Sequence, residues 1–328
     1  MYVRAIKNIL NQRNKRVAMK YEFGEDEKVK VCDNFGKDFY DHVNGLMDVY
    51  LDKWSISKLE LVDSFSANLV FKGSSKASGP IILKFGRDDH EFTSEVAALK
   101  AFDQAFTCQL IDFDEAQLVL MEECLEPGTT LFCEPNLLTR LEAFCYLYTN
   151  LHHSLKAEDQ GPESIDHGYQ SYKDWIFRIT DYMSQQEGWQ EVADHMTCAK
   201  EIFVDLSKTY NKQTLLHGDL HYYNILKSGQ GYKVIDPKGV IGDPVFDLPR
   251  YILNEFWDEE EDALVDEKMT QVFRFISQAV DLPEDHLKKL LYMEGALSMS
   301  WNVESGAKLD EKAGILKTIT WLEKYMKA

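Results

Sequence analysis

His217-Gly-Asp-Leu-His-Tyr-Tyr-Asn224 (HGDLHYYN) stands between the apolar Thr214-Leu-Leu and Ile225-Leu. Short apolar strands do not ordinarily hold two histidines, an aspartate and an asparagine between them. Asp219 precedes Asn224 by five residues, and Asp236 follows Asn224 by twelve, at the end of Tyr232-Lys-Val-Ile-Asp-Pro. The turn Ser228-Gly-Gln-Gly makes the two short strands, Asn224–Ser228 and Tyr232–Asp236, a hairpin. A hairpin brings the residue before its first strand near the residue after its second. Asp219, Asn224 and Asp236 therefore converge with no long-range assumption.

Two carboxylates and an amide carbonyl are hard oxygen donors of the kind Mg2+ takes. Phosphoryl transfer needs such a set. A metal neutralises charge on the phosphates, while a separate carboxylate orients the attacking hydroxyl and accepts its proton. Asp219 alone would read as a turn residue; the three together, flanked by apolar strands, point to a kinase site. The order Asp, Asn five later, then a second Asp is the protein-kinase order. A kinase also needs a cation for the nucleotide phosphates. Lys84, alone among apolar residues in Pro80-Ile-Ile-Leu-Lys-Phe, is the candidate. Glu91 or Glu95 of the following helix would hold it, with Glu95 nearer the apolar stripe. No Walker A motif occurs, which excludes a P-loop enzyme. The bend at residues 64–68, with Ser64 and Ser66, would serve as the phosphate loop.

The remainder of the chain fits this reading. Its 328 residues are enough for two lobes. Residues 36–54 carry apolar side chains at helical spacing. Strands follow at Lys58–Ser64, Asn68–Ser74 and Pro80–Phe85, then a helix at Glu91–Phe102 and strands at Cys108–Asp114 and Gln117–Glu123. Beyond a Pro/Gly break near residue 125 the pattern is mainly helical, at about 135–156, 169–186 and 189–211. The expected domains are 1–125, a nucleotide-binding lobe, and 126–328, a catalytic and substrate-binding lobe. The net charge of −19 argues against nucleic acid and leaves room for a cationic partner. Six cysteines without a CxxC pair suit a reducing, cytoplasmic setting. No run is long and apolar enough to span a membrane. The basic stretch 1–21 reads as a frayed terminus, His152-His153 as a solvated helix end, and His221 as a satisfied loop histidine.

Leu215-Leu-His-Gly-Asp-Leu-His-Tyr-Tyr-Asn-Ile-Leu, with Tyr232-Lys-Val-Ile-Asp-Pro-Lys-Gly-Val-Ile-Gly-Asp-Pro-Val-Phe-Asp-Leu, resembles the aminoglycoside phosphotransferase superfamily. It is most similar to the group of streptomycin 6-kinases and hydroxyurea-resistance kinases. Val119–Leu131 and Ser298–Gly306 add to the likeness, which covers roughly residues 45–306. The resemblance implies an α+β, protein-kinase-like bilobal fold: a small antiparallel sheet with one helix, then a larger helical lobe. It implies ATP and Mg2+ as cofactors, Asp219 as base, and Asn224 and Asp236 as metal ligands. It also implies Lys84 on the phosphates with Glu95 as partner, and backbone groups of Met121, Glu122 and Cys124 at the adenine. His217 and Asp247 would hold the catalytic loop.

Asp236-Pro-Lys-Gly replaces the protein-kinase Asp-Phe-Gly, and only a few residues separate Asp236 from the helix expected near Asp243. That leaves no room for an activation loop and favours a small-molecule acceptor over a protein. Asp243, Glu255, the acidic run 258–262, Trp301 and Glu304 are the expected acceptor-pocket residues, a negative wall suited to an aminoglycoside or aminocyclitol. The alternatives are a housekeeping metabolite kinase, acting on an amino sugar or methylthioribose, and a silent nucleotide-binding pseudokinase. The protein is expected to be a monomer or homodimer.

Overall fold

A computed structural model describes residues 20–62, 68–153, 169–257 and 262–327. The chain divides into two compact units, residues 1–92 with 110–124, and residues 93–109 with 125–328.

The first unit is built on a five-stranded antiparallel sheet of order β1-β2-β3-β5-β4. The strands are β1 (Ile56–Leu61), β2 (Leu69–Ser75), β3 (Gly79–Phe85), β4 (Leu110–Asp114) and β5 (Val119–Glu123). Side chains alternate across a strand, so Leu69 and Phe71, Ile81, Leu83 and Phe85, and Val119 and Met121 share one buried face. Helices α1 (Glu25–Phe35) and α2 (Lys37–Lys53) cover it. Of Phe39, Val43, Met47, Tyr50 and Trp54, the stripe expected from the spacing, the last four are buried, with Leu51 beside them and Val31 and Phe35 added from α1. Gly36, at φ +89, ends one helix and starts the next, a conformation open to glycine. Helix α1 leaves no periodic trace in the sequence, because only two of its eleven residues are buried.

Helix α3 (Asp89–Ala101) leads from β3 toward the second unit. That unit contains α4 (Leu137–His153), α5 (Tyr172–Met183), α6 (Gln190–Leu206), α7 (Leu248–Trp257), α8 (Asp262–Val280), α9 (Glu284–Glu304) and α10 (Lys312–Lys327). Its centre is α9, buried from Leu290 through Ser300. A helix apolar nearly all round belongs inside a core. Gly295 lets α10 approach: a Cβ there would collide with Leu322 Cδ1. The expected helix from 169 starts only at Tyr172, where Ser171 and Asp174 form a capping box.

Two small sheets frame the loops that carry the motif. In one, β9 (Ile225–Ser228) and β10 (Gly231–Val234) form the expected hairpin, with Ile225 opposite Val234. Strand β6 (Pro127–Thr130) adds to β9, where composition suggests a break. In the other, β8 (Thr214–Leu216) pairs with β11 (Val240–Gly242), and β7 (Gln170–Ser171) runs parallel to β11.

Candidate active site

The motif lies between these two ladders. Strand β8 delivers the chain to His217, the β9–β10 hairpin returns it at Ile235, and β11 brings it back alongside β8. Residues 217–224 and 235–238 are thus fixed at both ends. Direct bonds join them: the Ile235 amide donates to Asn224 O (3.0 Å), and the Lys238 amide to His217 O (2.7 Å). Asp236 is held at φ +57, a strained conformation for a residue other than glycine.

His217 is fully buried, and its Nδ1 accepts the Asp219 amide (3.2 Å). Its Nε2 therefore carries the proton and donates to Ile235 O (2.9 Å). Burial pushes its basicity down, against Asp247 and Asp219, so the neutral ring is the form that locks the two loops. Asp247 accepts the amides of His217 and Gly218, each at 2.7 Å. His152 on α4 caps the arrangement: Nε2 meets Asp247 Oδ2 at 3.0 Å and Nδ1 meets Tyr148 O at 2.7 Å. The expectation of a solvated helix end is wrong for His152. It lies one turn after the buried Tyr148 and beside the buried Leu151, so its ring is turned inward. That stripe is the sequence signal that could have found it.

Around Asp219, Asn224 Nδ2 donates to the residue's own carbonyl (3.0 Å) and reaches Oδ2 at 3.4 Å. Arg250 Nε and His221 Nε2 each stand 3.5 Å from Oδ1. His221 also accepts the Tyr223 amide at 3.2 Å, so its satisfied-loop reading omits its place beside Asp219. Burial raises the Asp219 carboxyl, yet His221, Arg250 and His217 together hold it well below the usual carboxylate range. Asn224, having turned its NH2 to Asp219, has its amide oxygen left for a cation. That oxygen and the Asp236 carboxylate could serve Mg2+, which keeps waters and takes other ligands from phosphates. Among the described residues no cluster of three or more His, Cys, Asp or Glu forms a metal cage, and Mg2+ needs none.

In the sheet unit, Lys84 Nζ pairs with Glu122 Oε1 at 2.9 Å, both side chains buried. The register sets Ile82 opposite Glu122 and Lys84 opposite Leu120, which puts Lys84 and Glu122 diagonally on one face. Sequence alone gives Glu122 a backbone role; its carboxylate sits on Lys84. Glu95, the sequence choice for that partner, is buried on α3. Met121 is a core residue, and the Cys124 amide donates to Pro80 O (3.3 Å), extending the ladder. Ser64 and Ser66 lie outside the described residues, as do 258–261 of the acidic run.

The expected negative wall is not assembled by the described acids. Asp243 caps the short helix 244–247, accepting the amides of Val245 (3.2 Å) and Lys212 (3.0 Å). Glu255 is fully buried under Arg140 (2.9 and 2.8 Å), Lys268 (3.0 Å) and the Tyr251 hydroxyl (2.8 Å). Glu304 is held by both nitrogens of the Arg178 fork. Glu255 and Glu304 are paired with cations from distant segments, and Asp243 with backbone amides. Trp301 is partly buried, edge-on to Trp175 (5.5 Å between centroids) with Arg250 over its ring.

The family model for aminoglycoside/hydroxyurea antibiotic resistance kinases matches residues 53–306. The chain belongs to this kinase family. It is accordingly an ATP-dependent phosphotransferase with an alcohol group as acceptor, on a protein-kinase-like α+β fold. Among curated proteins no sequence matches significantly. Solved structures share the fold at low identity. One is a thermostable mutant of aminoglycoside phosphotransferase APH(4)-Ia, in ternary complex with ADP and hygromycin B. It is 16% identical over 84% of this chain and 97% of its own, with a TM-score of 0.60. The amicoumacin kinase hAmiN, in complex with AMP-PNP, Ca2+ and Ami, is 13% identical over 88% and 95%, with a TM-score of 0.64. The choline kinase LicA from Streptococcus pneumoniae is 15% identical over 86% and 99%, with a TM-score of 0.58. No helix among the described residues is long and apolar enough to cross a membrane.

Proposed function

We propose that this kinase transfers the γ-phosphate of ATP to a hydroxyl of a small aminocyclitol-like or aminoglycoside-like acceptor, with Asp219 as the base. The observation that carries the reading is the zipping of residues 217–224 to 235–238, which sets Asp219, Asn224 and Asp236 in one locked pair of loops. Asp219, kept ionised by His221 and Arg250, orients the acceptor hydroxyl and takes its proton. Asn224 and Asp236 would hold Mg2+, which supplies charge neutralisation at the phosphates. Lys84, oriented by Glu122, would bind those phosphates. His217, Asp247 and His152 hold the loop rigid.

The pairing of Glu255, Glu304 and Asp243 favours a second acceptor class, a neutral hydroxylated metabolite, because none of these acids is left to greet a polycation. Trp301, with Trp175, offers a ring-stacking surface to either. ADP release measured across a panel of aminoglycosides, sugars and amino alcohols decides between them. Turnover should depend on one acceptor class and vanish in Asp219→Ala. A panel without turnover, or an Asp219→Ala enzyme as fast as wild type, defeats the reading.

A further inference from the structure

Arg250 lies beside Asp219, and the chemistry above uses only its charge. It projects from α7, and α9 supplies the partners of its terminal nitrogens. Nη2 donates to Glu294 Oε1 (2.9 Å) and Nη1 to Ser298 Oγ (3.1 Å). The guanidinium lies over the Trp301 ring, 5.3 Å from its centroid. Glu294, itself buried, accepts from the hydroxyls of Tyr172 (2.9 Å) and Ser298 (3.3 Å). Residues 294, 298 and 301 recur at helical spacing, so one face of α9 grips the whole fork. Such a fork is preorganised, because planar guanidinium geometry and stacking remove its freedom. Its Nε–H is buried and has no hydrogen-bond partner among the described residues. Asp219 Oδ1 stands 3.5 Å from that nitrogen. A buried donor without an acceptor is costly and calls for a reason. Neutralising Glu294 would not need Nε aimed at the catalytic loop. Catalytic hydrogen bonds are often long before substrate binds and tighten afterward.

We propose that Arg250 is the positioning residue of Asp219. On loading of the site, Oδ1 closes onto Nε–H, which fixes the carboxylate's rotation and turns its other oxygen to the acceptor hydroxyl. Glu294 acts through Arg250, anchoring the fork from α9. The inference rests on Asp219 being the base.

The test uses the full chain with Mg-ATP and water as the acceptor, at high enzyme concentration, together with crystal structures of the variants. Arg250→Met should lower the rate of ADP release about 100-fold, the cost of a misplaced reacting group. Its KM for ATP should stay within about twofold, because nucleotide binding is untouched. Its crystals should show the Asp219 carboxylate rotated. Arg250→Lys, with charge but no fork, should recover part of the rate. Glu294→Gln should slow the enzyme, and adding it to Arg250→Met should cost nothing further, as expected for residues acting in series. A wild-type rate in Arg250→Met, an unmoved carboxylate, or additive losses in the double variant would overturn the proposal. Should Arg250→Met not fold, Arg250→Lys and Glu294→Gln carry the same crystallographic and kinetic test. Asp219→Asn separates the two claims. Full activity there defeats the base assignment, whereas a dead Asp219→Asn beside an intact Arg250→Met defeats only the positioning role.

Discussion

Burial alone would make Asp219 a poor anion, and it is the hydrogen bond from His221 and the charge of Arg250 that reverse the outcome. The same logic governs the residues behind it. Asp247 accepts the amides of His217 and Gly218 and a contact from His152, so it works as that loop's clamp. Removing His152 leaves Asp247 buried and short of a donor, which costs about 1–3 kcal/mol. His152→Ala should therefore melt earlier than wild type and also turn over more slowly, read from paired thermal melts and ADP assays. Unchanged melting would show that the imidazole is not part of the clamp. At this scale the joining of residues 217–224 to 235–238 is legible in the sequence because one hairpin and two short ladders enforce it. His152 is less so, since its meaning depends on Asp247, 95 residues away.

The helices are tied by charges that sequence reading misassigns. Glu255 on α7 gathers Arg140 from α4 and Lys268 from α8. Burial pushes its carboxyl up, but Arg140 and Lys268 override this and hold it below its ordinary 4.5. A depressed folded value means that its stabilisation is present above about pH 4.5 and is lost as pH falls through the folded value. Glu255→Gln should lose about 3–5 kcal/mol at neutral pH, as a broken buried pair does. The gap to wild type should narrow on acidification below pH ~4.5. Denaturant titrations at several pH values check this, and a pH-independent gap would contradict it. Gly295 makes a second, purely steric statement. A methyl there meets Leu322, so Gly295→Ala should cost about 1–3 kcal/mol by overpacking α9 against α10. Equal stability of the two proteins would mean that α10 yields freely. Elements with strong periodicity, such as α2 and the β9–β10 hairpin, are readable in advance. Helix α1 and strand β6 are not, because few residues bury in the first and the second is defined by its partner.

Over the whole molecule the charge of −19 acts at long range, although Glu255 and Glu304 are paired. A field of that sign steers cations and is screened by salt over about 10 Å at 0.1 M. If streptomycin is an acceptor, its kcat/KM should fall as salt rises, while a neutral sugar acceptor should show little change. A salt-independent streptomycin rate would mean that the global charge has no part in capture. The order of sheet and helical segments, the absence of room for an activation loop, and the motif with its metal-type donors were all determined by the sequence itself. Each depends on periodicity or on contacts across a short hairpin, which local chain geometry enforces. Only the tertiary structure decided that Lys84 meets Glu122, that His152 holds Asp247, that Glu255 and Glu304 serve arginines, and that Arg250 faces Asp219. Those pairings join segments up to 126 residues apart, and nothing but the packing of helices and strands brings such side chains within a hydrogen bond of one another.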